Sequence, residues 1–146
     1  MRLGDDWFTA LSENEDGRMV AVYGRDGLKE FVESGKYKER VEITWKFDGD
    51  EKGFPDEALG EKMEAVETAL RNAMEKKDKL AILTSIYTGG GEKAWVFYTR
   101  TAKVFGDRLN EALAGFELLP ISIYVEVDPE WEEYRDMYEM KEWAVD

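Results

Sequence analysis

The amino-acid sequence predicts an α+β fold, and three observations carry that expectation. Val41, Ile43, Trp45 and Phe47 alternate with Glu42, Thr44 and Lys46, the period of a strand buried on one side only. Leu59, Met63, Val66, Leu70 and Ala73/Met74 recur at helical spacing and make one apolar stripe. From Val41 onward the chain switches between these periods in the order strand, helix, strand, strand, helix, strand.

Each element has a local reason. Residues about 6–12 and 18–25 read as two strands around Asn14-Glu15-Asp16-Gly17, where Asp-Gly supplies the positive φ of a tight turn. A short helical connection from Asp26 to Ser34 leads to the alternating strand. Phe54-Pro55-Asp56-Glu57 opens the long helix, with Pro in its first turn and acids at the positive end of the dipole. The basic run Lys76-Lys77-Asp78-Lys79 closes it. Leu80 to Tyr87 and Lys93 to Thr99 form a strand pair joined through Gly89-Gly90-Gly91. Thr101 is the expected N-cap of a helix carrying Val104, Phe105, Leu109, Ala112 and Leu113 and ending near Gly115. Pro120 to Val127 is a further strand, and Asp128-Pro129 starts a final helix, with Asp capping and Pro at the first helical position. The central βαββαβ order is that of a ferredoxin-like sandwich, here with an N-terminal β-hairpin and a C-terminal acidic helix.

Composition narrows the chemistry. At 146 residues the chain fits one domain, 1–146, since domains cluster at roughly 100–150 residues. The hydrophobic fraction of 43% and five tryptophans spread along the length require a packed core. No cysteine is present, which excludes disulfides, thiol nucleophiles and thiolate metal sites. The absence of histidine removes the commonest general base and metal ligand. No cofactor and no metal are expected, and no catalytic residue is singled out. The net charge of −13 repels nucleic-acid phosphates and anionic lipid while attracting basic partners. Neither a signal peptide nor a membrane span is read, so the cytoplasm is the expected location.

Several local patterns imitate sites and fail on inspection. Gly89-Gly90-Gly91-Glu92-Lys93-Ala94 lacks the ending of a phosphate loop and joins two strands, so it reads as a hairpin turn. Asp48 to Gly53 resembles the start of a calcium loop, but Lys52 and Leu59 fall where ligands belong. The carboxylate pairs Glu126/Asp128, Glu130/Glu133 and Glu132/Asp136 are what 33 acids in one chain produce by chance. Lys93-Ala94-Trp95-Val96-Phe97-Tyr98 sits where RNA-recognition domains carry stacking aromatics, yet packing of a doubly buried strand demands the same pattern.

The segment from Glu126 to Asp146 holds nine acids against Arg135 and Lys141. It also carries Trp131, Tyr134, Met137, Tyr138, Met140 and Trp143. Trp131, Tyr134 and Tyr138 share a helical stripe that either packs on the sheet or, with the acids, offers a docking surface.

Glu42-Ile43-Thr44-Trp45, Gly53-Phe54-Pro55, Trp95-Val96-Phe97-Tyr98, Leu109-Asn110 and above all Asp128-Pro129-Glu130-Trp131-Glu132-Glu133-Tyr134 resemble a bacterial family known as domain of unknown function 695. The likeness runs from Trp7 to about Tyr138. It implies a bacterial cytoplasmic protein, and relatives joined to domains similar to the ribonuclease E inhibitor B family imply regulation by binding. It also marks Trp45, Trp95, Tyr98, Asp128, Pro129, Trp131 and Tyr134 as the structural motif.

The leading expectation is a non-enzymatic interaction or regulatory module for a protein with a basic surface. Its surface would comprise Thr44, Lys46, Ser122, Tyr124 and Glu126 on an open sheet face, with Glu130, Glu132, Glu133 and Asp136 on the final helix. Two alternatives stand beside it. One is an enzyme built on carboxylates and a tyrosine or arginine, such as Tyr98 with Arg18, Arg25 or Arg100, acting on a small molecule. The other is a single-stranded RNA binder using Trp95, Phe97 and Tyr124, which the charge disfavours; no DNA partner is expected.

Overall fold

The computed structural model describes residues 1–145. In chain order the elements are β1 (Trp7–Glu13), β2 (Met19–Arg25), α1 (Lys29–Ser34), β3 (Glu39–Lys46), α2 (Glu57–Arg71), β4 (Ala81–Gly89), β5 (Glu92–Thr99), α3 (Ala102–Ala112), β6 (Ile121–Val127) and α4 (Glu132–Tyr138). A π-helical turn at Asn72–Lys76 extends α2, and a 3₁₀ turn at Glu139–Trp143 extends α4.

The strands form one antiparallel sheet in the order β1-β2-β4-β5-β3-β6. The hairpin β1–β2 continues the sheet past β4, with Val22 opposite Tyr87. The order of the whole sheet therefore differs from that of a four-stranded ferredoxin-like sandwich. What holds without qualification is a mixed α+β architecture with a six-stranded antiparallel sheet and four helices.

Period 2 divides the strand residues between two faces. On the first face Val41, Ile43, Trp45, Leu83, Trp95 and Phe97 lie under Met63, Val66, Leu70 and Met74 of α2 and its extension and under Phe105 and Leu109 of α3. On the second face Phe8, Val22, Ile82, Val96 and Tyr98 lie under Phe31 of α1 and Trp131, Tyr134 and Met137 of α4. Gly24 makes that second layer possible, because a Cβ there would stand 2.3 Å from the Phe8 ring and 2.6 Å from Met137 Sδ.

Two helix starts differ from expectation, and a third falls where expected but is capped differently. Pro55 precedes α2, and Asp56 caps it by accepting from the Leu59 amide (2.8 Å). Thr101 stands at the N-cap of α3 but its side chain caps nothing; Glu39 reaches across to accept from the Ala102 amide (3.2 Å) instead. Val104 on that helix is exposed rather than part of the core. Pro129 and Glu130 form a turn, so α4 begins at Glu132, three residues later than the sequence suggests.

Candidate functional site

Asp128, Trp131 and Tyr134 of the Asp128–Tyr134 run pack into the second face. Tyr98 Oη donates to Asp128 Oδ2 (2.6 Å), and the same carboxylate accepts from the amides of Glu132 (2.9 Å) and Glu133 (3.1 Å). Burial favours the protonated carboxyl, yet these donors and the nearby Arg40 guanidinium hold Asp128 below the usual carboxylate range. Tyr98, buried against a carboxylate, is pushed far above the ordinary phenol value and stays protonated. Trp131 stacks on Tyr98 with ring centroids 4.1 Å apart, and its Nε1 donates to Tyr37 O (2.7 Å). Those two contacts hold Trp131 at φ 56°, a left-handed conformation uncommon for a bulky residue. Tyr134 Oη donates to Arg25 O. The run is a latch fastening α4 to the sheet.

α4 spans only part of the second face. It lies against β2 and β4, while among the described residues no helix makes extensive contact with β3 or β6 on that face. The register places Arg40 opposite Glu126, Glu42 opposite Tyr124 and Thr44 opposite Ser122. Tyr124 stands 59% exposed, Lys46 and Ser122 are exposed, and Thr44 and Glu126 are half-buried. The structure thus brings the predicted sheet-face residues together.

Arg40 organises this open half. Its Nη1 donates to Glu42 Oε2 (3.0 Å) and approaches Glu126 Oε1 (3.5 Å), and its Nε is buried without a protein partner. Burial alone would lower the Arg40 pKa, but the flanking carboxylates outweigh it and raise the value, so the guanidinium is a permanent cation. Beside it opens a shallow cavity of about 340 Å³ lined by Glu13, Arg40, Glu42, Tyr87, Glu92 and Met140, among others. Burial pushes the Tyr87 phenol up, and Glu42 and Glu133 act on it in the same direction. Sequence reading missed Arg40, Glu42, Tyr87 and Glu92 because only the strand register reveals that they meet.

On α4 and the turn before it, Glu130, Glu132, Glu133 and Asp136 are all exposed. Among the described residues none of the four is in an ion pair. Trp131, Tyr134 and Met137 point into the core, so of the aromatic residues in this segment only Trp143 is strongly exposed. The expectation that aromatics and acids share one docking surface is corrected accordingly: the helix offers its acids alone.

The alternative constellations do not assemble. Arg25 projects onto the first face, against the Trp7 ring, whereas Tyr98 lies in the layer under α4. There Arg25 is buried, donating to Glu75 (2.9 Å), Leu83 O (3.0 Å) and Gly4 O (2.7 Å). Arg100 donates to Asp78 O (2.8 Å) and Arg18 is exposed near the hairpin turn. Trp95 and Phe97 are fully buried beneath α2 and α3 and cannot stack on bases. Among the described residues no three His, Cys, Asp or Glu side chains converge to hold a metal ion, and no helix is long and apolar enough to cross a membrane.

Fold and site define a class: an α+β protein with a sheet covered on one face and half-covered on the other by a latched acidic helix. The model of the family of unknown function DUF695 matches residues 5–138, and the chain belongs to that family. No curated protein and no solved structure matches the chain.

Proposed function

We propose that this protein is a non-enzymatic interaction module that binds a basic protein partner across the open half of the second face and the acidic side of α4. The observation that carries the reading is the exposure of Glu130, Glu132, Glu133 and Asp136 without ion-pair partners among the described residues. They stand on α4 and the turn that leads into it, which Trp131 and Tyr134 anchor in the core. A rigidly latched helix presents these charges with little ordering cost on binding. The neighbouring cavity, where Glu13, Glu42 and Glu92 outnumber the one Arg40 guanidinium around Tyr87 and Met140, suits the aliphatic stem and charged head of one lysine or arginine. Tyr124 supplies an aromatic surface of the kind enriched at interface centres. A net charge of −13 steers a basic partner toward this surface and makes association fall with salt.

In this reading the chain is one domain, 1–146, acting in the cytoplasm. The β6-β3-β5-β4 part of the sheet with α2 and α3 serves as a ferredoxin-like unit that carries the site on its uncovered face.

The test is affinity capture from source lysate after nuclease treatment, comparing the native chain with a variant carrying lysine at 130, 132, 133 and 136. A basic protein retained by the native chain at low salt, released at high salt and lost in a variant of unchanged circular dichroism is the expected result. Equal retention by both proteins overturns the proposal.

A further inference from the structure

The two edges of the sheet are finished differently, and the difference points to a second copy of this chain. At the β1 edge the C-terminal segment adds a bridge, with the Val145 amide donating to Thr9 O (2.7 Å). At the β6 edge nothing among the described residues pairs with the outer side of the strand. Edge strands of stable monomers are commonly blunted by lysine, proline, a bulge or an inward charge. Within Ile121–Val127 there is no lysine and no proline, the register against β3 is unbroken, and the single charge is Glu126.

The backbone of β6 is set for pairing. Asp128 N donates to Lys38 O (2.8 Å). By the alternation of an antiparallel ladder, the even-numbered residues turn their polar groups to β3 and the odd-numbered ones turn theirs outward. Ile123, Val125 and Val127 therefore offer free amides and carbonyls along the edge, while the Ile121 amide is already bound to Leu119 O (2.9 Å).

The side chains are self-complementary. Read about Tyr124, the strand Ile-Ser-Ile-Tyr-Val-Glu-Val is a palindrome of polarity. An antiparallel twofold at Tyr124 is the register that overlaps all seven residues. It sets Ile121 opposite Val127 and Ile123 opposite Val125, both pairs on the first face, and it sets Ser122 opposite Glu126 so that no like charges meet. Val127 is 75% exposed as the chain stands. In this register the second copy's Val127 comes beside a groove of about 460 Å³ lined by Leu113, Phe116, Leu118, Leu119, Ile121 and Ile123. We propose that the protein forms a twofold dimer by pairing β6 with β6, joining two sheets into one continuous sheet. The pairing does not use the acids of α4, while Tyr124 and Glu126 of the open second face lie at the twofold, so the α4 lysine variant tests the basic partner without touching the dimer contact.

The absence of cysteine supplies a clean experiment. Tyr124→Cys places one thiol in each copy directly across the twofold, in the closer, non-hydrogen-bonded type of pair, within reach of a disulfide. Ser122→Cys places its thiols on opposite sides of the axis, several residues apart. Mild oxidation is expected to link Tyr124→Cys into covalent dimers and to leave Ser122→Cys largely unlinked. The native chain is expected to sediment as a dimer whose fraction rises with salt, as repulsion between two acidic copies is screened. Val125→Lys is expected to sediment as a monomer with unchanged circular dichroism. A native chain that is monomeric at every soluble concentration, or equal linking of the two cysteine variants, overturns the proposal. Growth into open polymers also overturns it, since a single twofold contact closes at two copies.

Discussion

The two faces of the sheet are closed by different physics. On the first, α2 and α3 lay methionine, valine, leucine and phenylalanine on tryptophan, phenylalanine and aliphatic residues, with Trp45 and Trp95 edge-to-face at 6.3 Å. On the second, α4 is fastened by a tyrosine–aspartate hydrogen bond, an indole–carbonyl hydrogen bond and one stacked pair, and the cover stops halfway. Apolar contact is indifferent to direction, whereas hydrogen bonds fix one placement. The first face is closed mainly by apolar packing, and on the second the hydrogen bonds fix where a charged helix stands.

The comparison can be broken at its strongest point by Trp95→Ala, which empties the middle of the first face. A loss of about 3–5 kcal/mol in urea unfolding is expected, a large part of what an ordinary domain possesses. Gly24→Ala comes next. Its methyl forces Phe8 and Met137 apart, at about 1–3 kcal/mol, and hydrogen exchange should show α4 opening while α2 and α3 remain protected.

Trp131→Phe keeps a ring on Tyr98 but orphans Tyr37 O, for about 1–2 kcal/mol by thermal or urea melts. Asp128→Asn sharpens the electrostatic side of the contrast. Because the folded-state pKa is lowered, the aspartate's stabilisation is present above its unfolded value near 3.8 and is lost as pH falls through the folded value. The variant should therefore be less stable than the native chain at neutral pH, and the gap should narrow as the pH falls below about 4. The smallest effect belongs to the solvated acids: each of Glu130→Lys, Glu132→Lys and Asp136→Lys should move stability within about 0.5 kcal/mol, since none has a structural partner.

Much of this frame was legible in residue order. Alternation at Val41–Trp45 predicted β3 and its buried side, and spacing at Met63, Val66, Leu70 and Met74 predicted the inner stripe of α2. Both signals are local, and local periodicity survives in a one-dimensional reading. The start of α4 was not legible, because the contacts that seat a left-handed tryptophan include those with Tyr37 and Tyr98, about 94 and 33 residues away. The acids of the site were visible as charge, but Arg40, Glu42 and Tyr87 become neighbours only through the pairing of β3 with β5 and of β5 with β4. Val104 shows the reverse error, a good local pattern whose side chain ends exposed, and Thr101 stands at the expected N-cap position without making the capping bond.

The latch also sets an order of events. Trp131 bonds to residue 37 and Tyr134 to residue 25, separations of 94 and 109 positions. The slot that receives them exists only after β2, β4 and β5 have paired. Contacts so distant along the chain are slow to form, because the loop must be closed before they contribute. Until α4 docks, Tyr98, Ile82 and Val96 remain wetted, and a sheet with one bare hydrophobic side is the species most exposed to clumping. A chain that lacks α4 is therefore expected to scatter light and aggregate more readily than the whole protein.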